Sequence, residues 1–160
     1  MARFERFRQT SEASWFAEEA YIVVIPQIVK DILLQHRQLH AKSPEAGGLI
    51  YGVLYERGVV LTGVTAPMPL DDRSRYHFHR RDPKHLETVE REYEITRGHI
   101  NLLGEWHTHP QKNPSPSTID TRQWREIDSA RSPLGLNSLF MIQGTQELWV
   151  GGTSSVVSSN

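Results

Sequence analysis

The chain has 160 residues, 38% of them hydrophobic, and 18 lysines and arginines against 19 acidic residues give a net charge of −1. That length favours one domain with a buried core, and the near-neutral charge argues against a nucleic-acid or other polyanion binder. Cysteine is absent, which excludes a disulfide framework, a thiol nucleophile and every zinc site built on thiolates; any metal must sit on nitrogen and oxygen.

Residues 1–20 read as an N-terminal extension, and MARFERFRQTSEASWF lacks the apolar core and cleavage site of a secretory signal. The longest apolar run, YIVVI at 21–25, falls far short of the ~20 residues of a membrane span. A cytoplasmic protein without membrane contact is expected. Residues 21–25 predict a strand feeding a helix from Pro26, whose missing N–H is tolerated at a helix start. Ile28, Val29, Ile32, Leu33 and His36 follow one face of that helix, which should end near His40.

Runs at 48–55 and 59–64 predict a hairpin, and 66–75, APMPLDDRSR, an exposed loop that is a candidate substrate-facing insertion. A short strand at 76–79 and a helix from Asp82 and Pro83 follow, with Leu86, Val89 and Tyr93 inward and Gly98 as its stop. Then come a strand at 102–106, a proline-rich loop at 110–116, a helix from Ser117 with Trp124 and Ile127 inward, and strands at 138–143 and 147–151. Residues 21–152 thus read as one α/β or α+β domain, a mixed sheet with helices, and 153–160 as a flexible, serine-rich tail.

The chemistry concentrates in GEWHTHPQKNPSPSTID, residues 104–120. His107 and His109 are two apart, so in extended chain both imidazoles leave the same face and can share one ion. Asp120 lies in the first turn of the helix that Ser117 opens. Two histidines and a carboxylate suit zinc with one open position. Taken alone, Ser117 and Asp120 read first as a capping box, and a lone H-x-H on a strand as structural. The conjunction H-x-H-P, six residues, S-x-x-D is far rarer than its parts.

These residues resemble the JAB/MPN metallopeptidases, whose JAMM motif is an upstream Glu followed by that same pattern. The upstream member is Glu45 in PEAGGLIYG, residues 44–52. The resemblance implies an MPN domain over 21–152 with a cytidine-deaminase-like sheet flanked by helices. It also implies Zn2+ on His107, His109 and Asp120, Glu45 as the proton carrier and Ser117 as the oxyanion donor. Gly47 and Gly48 either let the backbone pass close to the site or only form a turn.

Within that family LLGEWHTHPQKNPSPSTID and RSRYHF are most similar to the bacterial peptidases of anti-phage CBASS operons, which also carry an integrative-conjugative-element label. What this implies is a zinc isopeptidase that cuts the amide between the C-terminus of a cGAS/DncV-like nucleotidyltransferase and its target. It would act beside a ubiquitin-transfer-like enzyme, its extended substrate lying along a sheet edge near the first hairpin. The alternatives are a peptidase processing a ubiquitin-like or sulfur-carrier-like precursor, a non-catalytic MPN scaffold and a serine hydrolase built on Ser117. A second H-x-H, His77 and His79, sits among Arg73, Arg75, Arg80 and Arg81; these disfavour a cation, so the segment reads first as a basic loop and only second as a metal site, or as a contact for a substrate carboxylate or an acidic partner surface.

Overall fold

The computed structural model describes residues 21–153 and, before them, three short strands: β1 (Phe4–Arg6), β2 (Arg8–Thr10) and β3 (Trp15–Glu18). β4 (Tyr21–Val24) feeds α1 (Gln27–Gln35) through Pro26 at the N-cap, as its sequence predicts. β5 (Gly47–Tyr55) and β6 (Gly58–Val64) form the first hairpin, β7 (Asp72–Ser74) and β8 (His77–His79) a second, smaller one. α2 (Lys84–Ile95), β9 (Ile100–Thr108), α3 (Thr118–Arg131), β10 (Leu139–Gln143) and β11 (Leu148–Thr153) complete the order. The tail expected over 153–160 lies, from 154 onward, outside the described residues.

Among the described residues nine strands form one mixed sheet in the order β1-β11-β10-β9-β5-β6-β4-β3-β2, and β7-β8 stand apart. β9 lies inside the sheet, antiparallel to β5 and parallel to β10, so α3 is the crossover between parallel neighbours. The first hairpin leaves little open edge for a substrate: β9 runs along β5, and β4 pairs with Val59 and its neighbours at the start of β6.

Period-two alternation explains why both faces are covered. In β10, Leu139 and Met141 join the cluster of Val29, Leu33, Ile50 and Trp106, while Phe140 and Ile142 join Trp124 and Trp149 on the other side. Trp124 of α3 stacks on Phe140 and Trp149, with centroids 4.5 and 5.4 Å apart.

Several inward faces differ from the sequence reading. Ile28 is exposed and α1 buries Val29 and Leu33; the helix stops at Gln35, and beyond it Gln38 turns inward to a buried bond with Thr108. In α2 the buried pair is His85 and Val89, whereas Leu86 and Tyr93 are exposed. The 66–75 segment is a folded strap: its Asp71 carboxylate accepts from the N–H groups of Met68, Arg81 and Asp82 and from His85 Nε2. Its side chain is completely buried.

Candidate metal centre

The end of β9 carries His107, and His109 follows directly after the strand. His107 is opposite Gly47 of β5 and Ile142 of β10, and His109 is fixed by its N–H to the Gln143 carbonyl at 3.0 Å. Their Nε2 atoms converge to 3.1 Å. His109 Nδ1 lies 3.3 Å from Gln111 Oε1, an acceptor; Nδ1 therefore carries the proton in the neutral ring, and Nε2 keeps its lone pair.

Asp120 arrives from α3. Ser117 Oγ accepts from the Asp120 N–H at 3.1 Å and the Ser117 N–H donates to Asp120 Oδ2 at 2.6 Å, a complete capping box. Capping and ligation therefore share one carboxylate: Oδ1 lies 3.2 Å from His107 Nε2 and Oδ2 3.3 Å from His109 Nε2. Trp124, one turn further along α3, sets the helix against His107 with ring centroids 6.0 Å apart.

The donor set fits zinc on its own geometry. Bonds of ~2.0–2.1 Å in a tetrahedron place neighbouring ligand atoms roughly 3.3–3.4 Å apart, close to the 3.1 Å between the two Nε2 atoms and to the 3.2 and 3.3 Å at which Asp120 presents one oxygen to each ring. Two imidazole lone pairs and a carboxylate aimed at one point also demand a positive charge between them. The protonation behaviour expresses that demand. Burial opposes charge on His109, but Asp120 overrides it and raises its pKa. Burial likewise pushes the Asp120 carboxyl up, but His107 and His109 hold it far below the usual carboxylate range.

Glu45 enters from the other side. The Thr108 N–H donates to the Ala46 carbonyl and the Ala46 N–H to Thr108 Oγ1, so the β5–β9 ladder continues past Gly47 and brings Glu45 beside His109. Its own N–H is held by the Ser74 carbonyl at 2.6 Å and its carbonyl by Arg73 Nε at 2.8 Å. A Glu45 carboxylate oxygen lies within 4.8 Å of ring nitrogens of both His107 and His109. Burial pushes its pKa up, against the pull of the two histidines, which suits a group that must take and return a proton.

Gly47 and Gly48 belong to a strand and serve close approach. A Cβ on Gly47 would stand 2.6 Å from Phe78, and one on Gly48 2.0 Å from the Thr65 carbonyl oxygen. The cleft over the site has two lobes, of about 290 and 330 Å³, which share Glu45, Phe78, His79, Asp120 and Gln123. His107, Glu105 and Arg80 line the first lobe; His109, Ser117 and the exposed Tyr76 and Ile119 line the second.

All five residues of the motif come together here. The four arginines proposed as substrate contacts are bonded within the chain: Arg73 to Glu45, Arg75 to the His40 carbonyl, Arg80 to Glu105 and Arg81 to Asp72. Sequence reasoning missed the buried positioning groups. Gln38 accepts from Thr108 Oγ1, and Thr65 holds the Trp106 indole N–H at 2.8 Å. Thr65, between Val64 and Ala66, carries the signal of a polar residue flanked by apolar ones, and Gln38, beside Arg37, carries none.

Residues 26–150 match the family described as prokaryotic homologs of the JAB domain. Two proteins named "CD-NTase/cGAS isopeptidase" are similar to this chain. The one from Vibrio cholerae is 36% identical over 84% of this chain and 83% of its own, and that from Escherichia coli 32% over 82% and 81%. A third of the same name, from Pseudomonas aeruginosa, is 32% identical over 74% of this chain and 76% of its own. A solution structure of a protein from Desulfitobacterium hafniense shares the fold at 22% identity and a TM-score of 0.51, covering 75% of this chain and 72% of its own. With both histidines, the aspartate, the serine and the upstream glutamate in place within the matched span, this chain belongs to the prokaryotic JAB-domain family.

Proposed function

We propose that this chain is a zinc-dependent isopeptidase that hydrolyses the amide joining the C-terminus of a cGAS/DncV-like nucleotidyltransferase to an amine of its conjugated target. The observation that carries this reading is the convergence of His107, His109 and Asp120 beneath Glu45 in a cleft with a lobe on either side. Two lobes give the acyl tail one path and the amine-bearing partner another. The names of the relatives support the substrate class, and the fold family supports the metal.

His107, His109 and Asp120 would hold the zinc, which when bound would supply Lewis acidity towards the scissile carbonyl and lower the pKa of a water at neutral pH. Glu45 takes the proton of the attacking water and returns it to the departing amine, and the bonds at both ends of its backbone keep its carboxylate in reach of that exchange. Ser117 Oγ already accepts from the Asp120 N–H, which leaves its hydroxyl proton free to donate to the oxyanion of the tetrahedral intermediate. In this reading the protein works in the cytoplasm, downstream of a ubiquitin-transfer-like enzyme that makes the linkage.

The test compares wild type and Glu45→Gln on a nucleotidyltransferase joined through its C-terminus to a lysine amine of a reporter, and on a linear fusion of the same two proteins. Wild type holds one tightly bound zinc and cleaves the lysine-linked conjugate, and Glu45→Gln keeps the zinc but cleaves roughly 10²–10⁴-fold more slowly. Full activity in Glu45→Gln overturns the mechanism. Cleavage of the linear fusion alone moves the substrate to a precursor, and no cleavage with zinc bound moves it elsewhere.

A further inference from the structure

Outside the site just described, the small hairpin β7-β8 carries a second set of metal-ligating side chains. Strand alternation puts His77 and His79 on one face, and the register Asp72↔His79 and Ser74↔His77 adds Asp72 and Ser74 to it. The opposite face holds the cross-strand pair Arg73 and Phe78, which grip Glu45 and Gly47. One side of the hairpin thus anchors the catalytic strand while the other gathers two imidazoles and a carboxylate.

Ligand atoms of Asp72, His77 and His79 all lie within 4.8 Å of one another. His77 Nε2 is 3.4 Å from Asp72 Oδ1, and His79 Nδ1 is 3.7 Å from Asp72 Oδ2. His77 Nδ1 is held by Ser74 Oγ at 2.6 Å, the outer bond that orients a ligating imidazole and leaves its other nitrogen bare. That other nitrogen, Nε2, is shut off from water and has no hydrogen-bond partner although a carboxylate faces it. A lone pair opposed to a carboxylate is repulsive unless a proton or a cation lies between them.

We propose that Asp72, His77 and His79 form an accessory site for a borderline divalent cation of the zinc, cobalt and nickel class, in the wall of the cleft and distinct from the site of His107, His109 and Asp120. Mixed imidazole and carboxylate donors favour these ions over magnesium or calcium. The arginines that crowd this segment in sequence do not block it. Arg73, Arg75 and Arg80 are engaged elsewhere, and Arg81 touches Asp72 Oδ2 at 3.5 Å through a side chain that is 63% exposed and free to swing away. The cation bridges two three-residue strands, which are marginal as an isolated ribbon, and so stiffens the wall that bears on Glu45. With the three ligands about half exposed, its affinity falls below that of the buried trio.

The test is a zinc titration of the metal-free full chain against a chromophoric chelator, repeated with cobalt and read by visible absorption. Wild type takes up two equivalents, the second more weakly, and its melting temperature rises again beyond the first. Asp120→Ala loses the tight equivalent and keeps the weak one. His79→Ala and the near-isosteric Asp72→Asn, both at half-exposed positions, keep the tight equivalent and weaken the second at least tenfold. Saturation of wild type at one equivalent overturns the proposal, as does a second equivalent of undiminished affinity in both variants. Failure of the catalytic reading is a different result, the absence of the tight equivalent.

Discussion

Gly48→Ala is expected to damage both stability and catalysis, for a reason that can be worked from contact distances. A methyl group at this position would stand 2.0 Å from the Thr65 carbonyl oxygen and 2.6 Å from Thr65 Oγ1. An ordinary carbon–oxygen contact is about 3.3 Å, so Thr65 must retreat by roughly 1.3 Å. Thr65 cannot move freely. Its carbonyl accepts from Trp106 Nε1 at 2.8 Å, and its Oγ1 bonds the Leu49 N–H at 2.8 Å and His85 Nδ1 at 2.6 Å, all in the interior. Breaking two such buried bonds at ~1–3 kcal/mol each gives a cost of about 4 kcal/mol, a large share of a typical 5–15 kcal/mol stability. Thermal unfolding should shift down by about 10 °C. Because Trp106 precedes His107, an ångström-scale displacement there should also slow cleavage on the order of 100-fold. Gly135→Ala is the control: its φ of 70° disfavours a side chain, but nothing lies within 4 Å, so it should cost only about 1 kcal/mol. A Gly48→Ala protein that melts within a degree or two of wild type, or above Gly135→Ala, would refute the close-approach account.

Ser117→Ala removes the cap acceptor and the oxyanion donor together, so a stability loss of about 1 kcal/mol by calorimetry should accompany a 10²–10³-fold lower turnover with zinc content unchanged. Unchanged turnover would reduce the hydroxyl to a cap. Desolvation raises the Asp71 pKa, but the bonds from His85 and from the Asp82, Met68 and Arg81 N–H groups outweigh it and bring the carboxyl down to about 2. A depressed carboxyl stabilises the fold above its unfolded pKa of ~3.9 and loses that contribution as pH falls towards 2. Asp71→Asn should therefore melt below wild type at pH 6, with the gap closing between about pH 4 and 2; a constant gap would contradict this. Trp106→Phe keeps a ring in the core but orphans the Thr65 carbonyl, and denaturant unfolding should show a loss of ~1–3 kcal/mol.

The ligand trio was legible because its geometry is local. Two residues along a strand share a face, and a residue three past an N-cap points back at it, so spacing pairs His107 with His109 and Ser117 with Asp120, and the rare conjunction with its resemblance to the JAB/MPN motif marks them as candidate site residues. Glu45 is different: only the resemblance to the JAB/MPN family singled it out, since nothing in PEAGG says that the ladder carrying Gly47 past His107 will bring it to the two histidines. The supporting groups are further from reach. Gln38 and Thr108 are 70 positions apart, Thr65 and Trp106 41, and each pair reads in sequence as unrelated polar and apolar residues. The same limit explains the basic loop at 73–81. Composition places four arginines there, and only the tertiary structure shows Arg73, Arg75 and Arg80 bonded elsewhere and Arg81 at Asp72, while Asp72, His77 and His79 share a face.

Sequence alone therefore carried the order of elements between residues 21 and 152, apart from β7 within the segment read as a loop, and set His107, His109, Ser117 and Asp120 in place as candidates through periodicities and caps that act over a few residues, while the family resemblance supplied the class of chemistry. Tertiary structure decided which side of α1 and α2 is buried, how Glu45 meets the histidines, and that the strap at 66–82 is pinned by Asp71 and His85. The division has a physical cause. Backbone geometry repeats every two or 3.6 residues and so leaves a mark in the order of side chains, whereas strand register and buried polar pairing join distant positions through the free energy of the whole fold and leave no such mark.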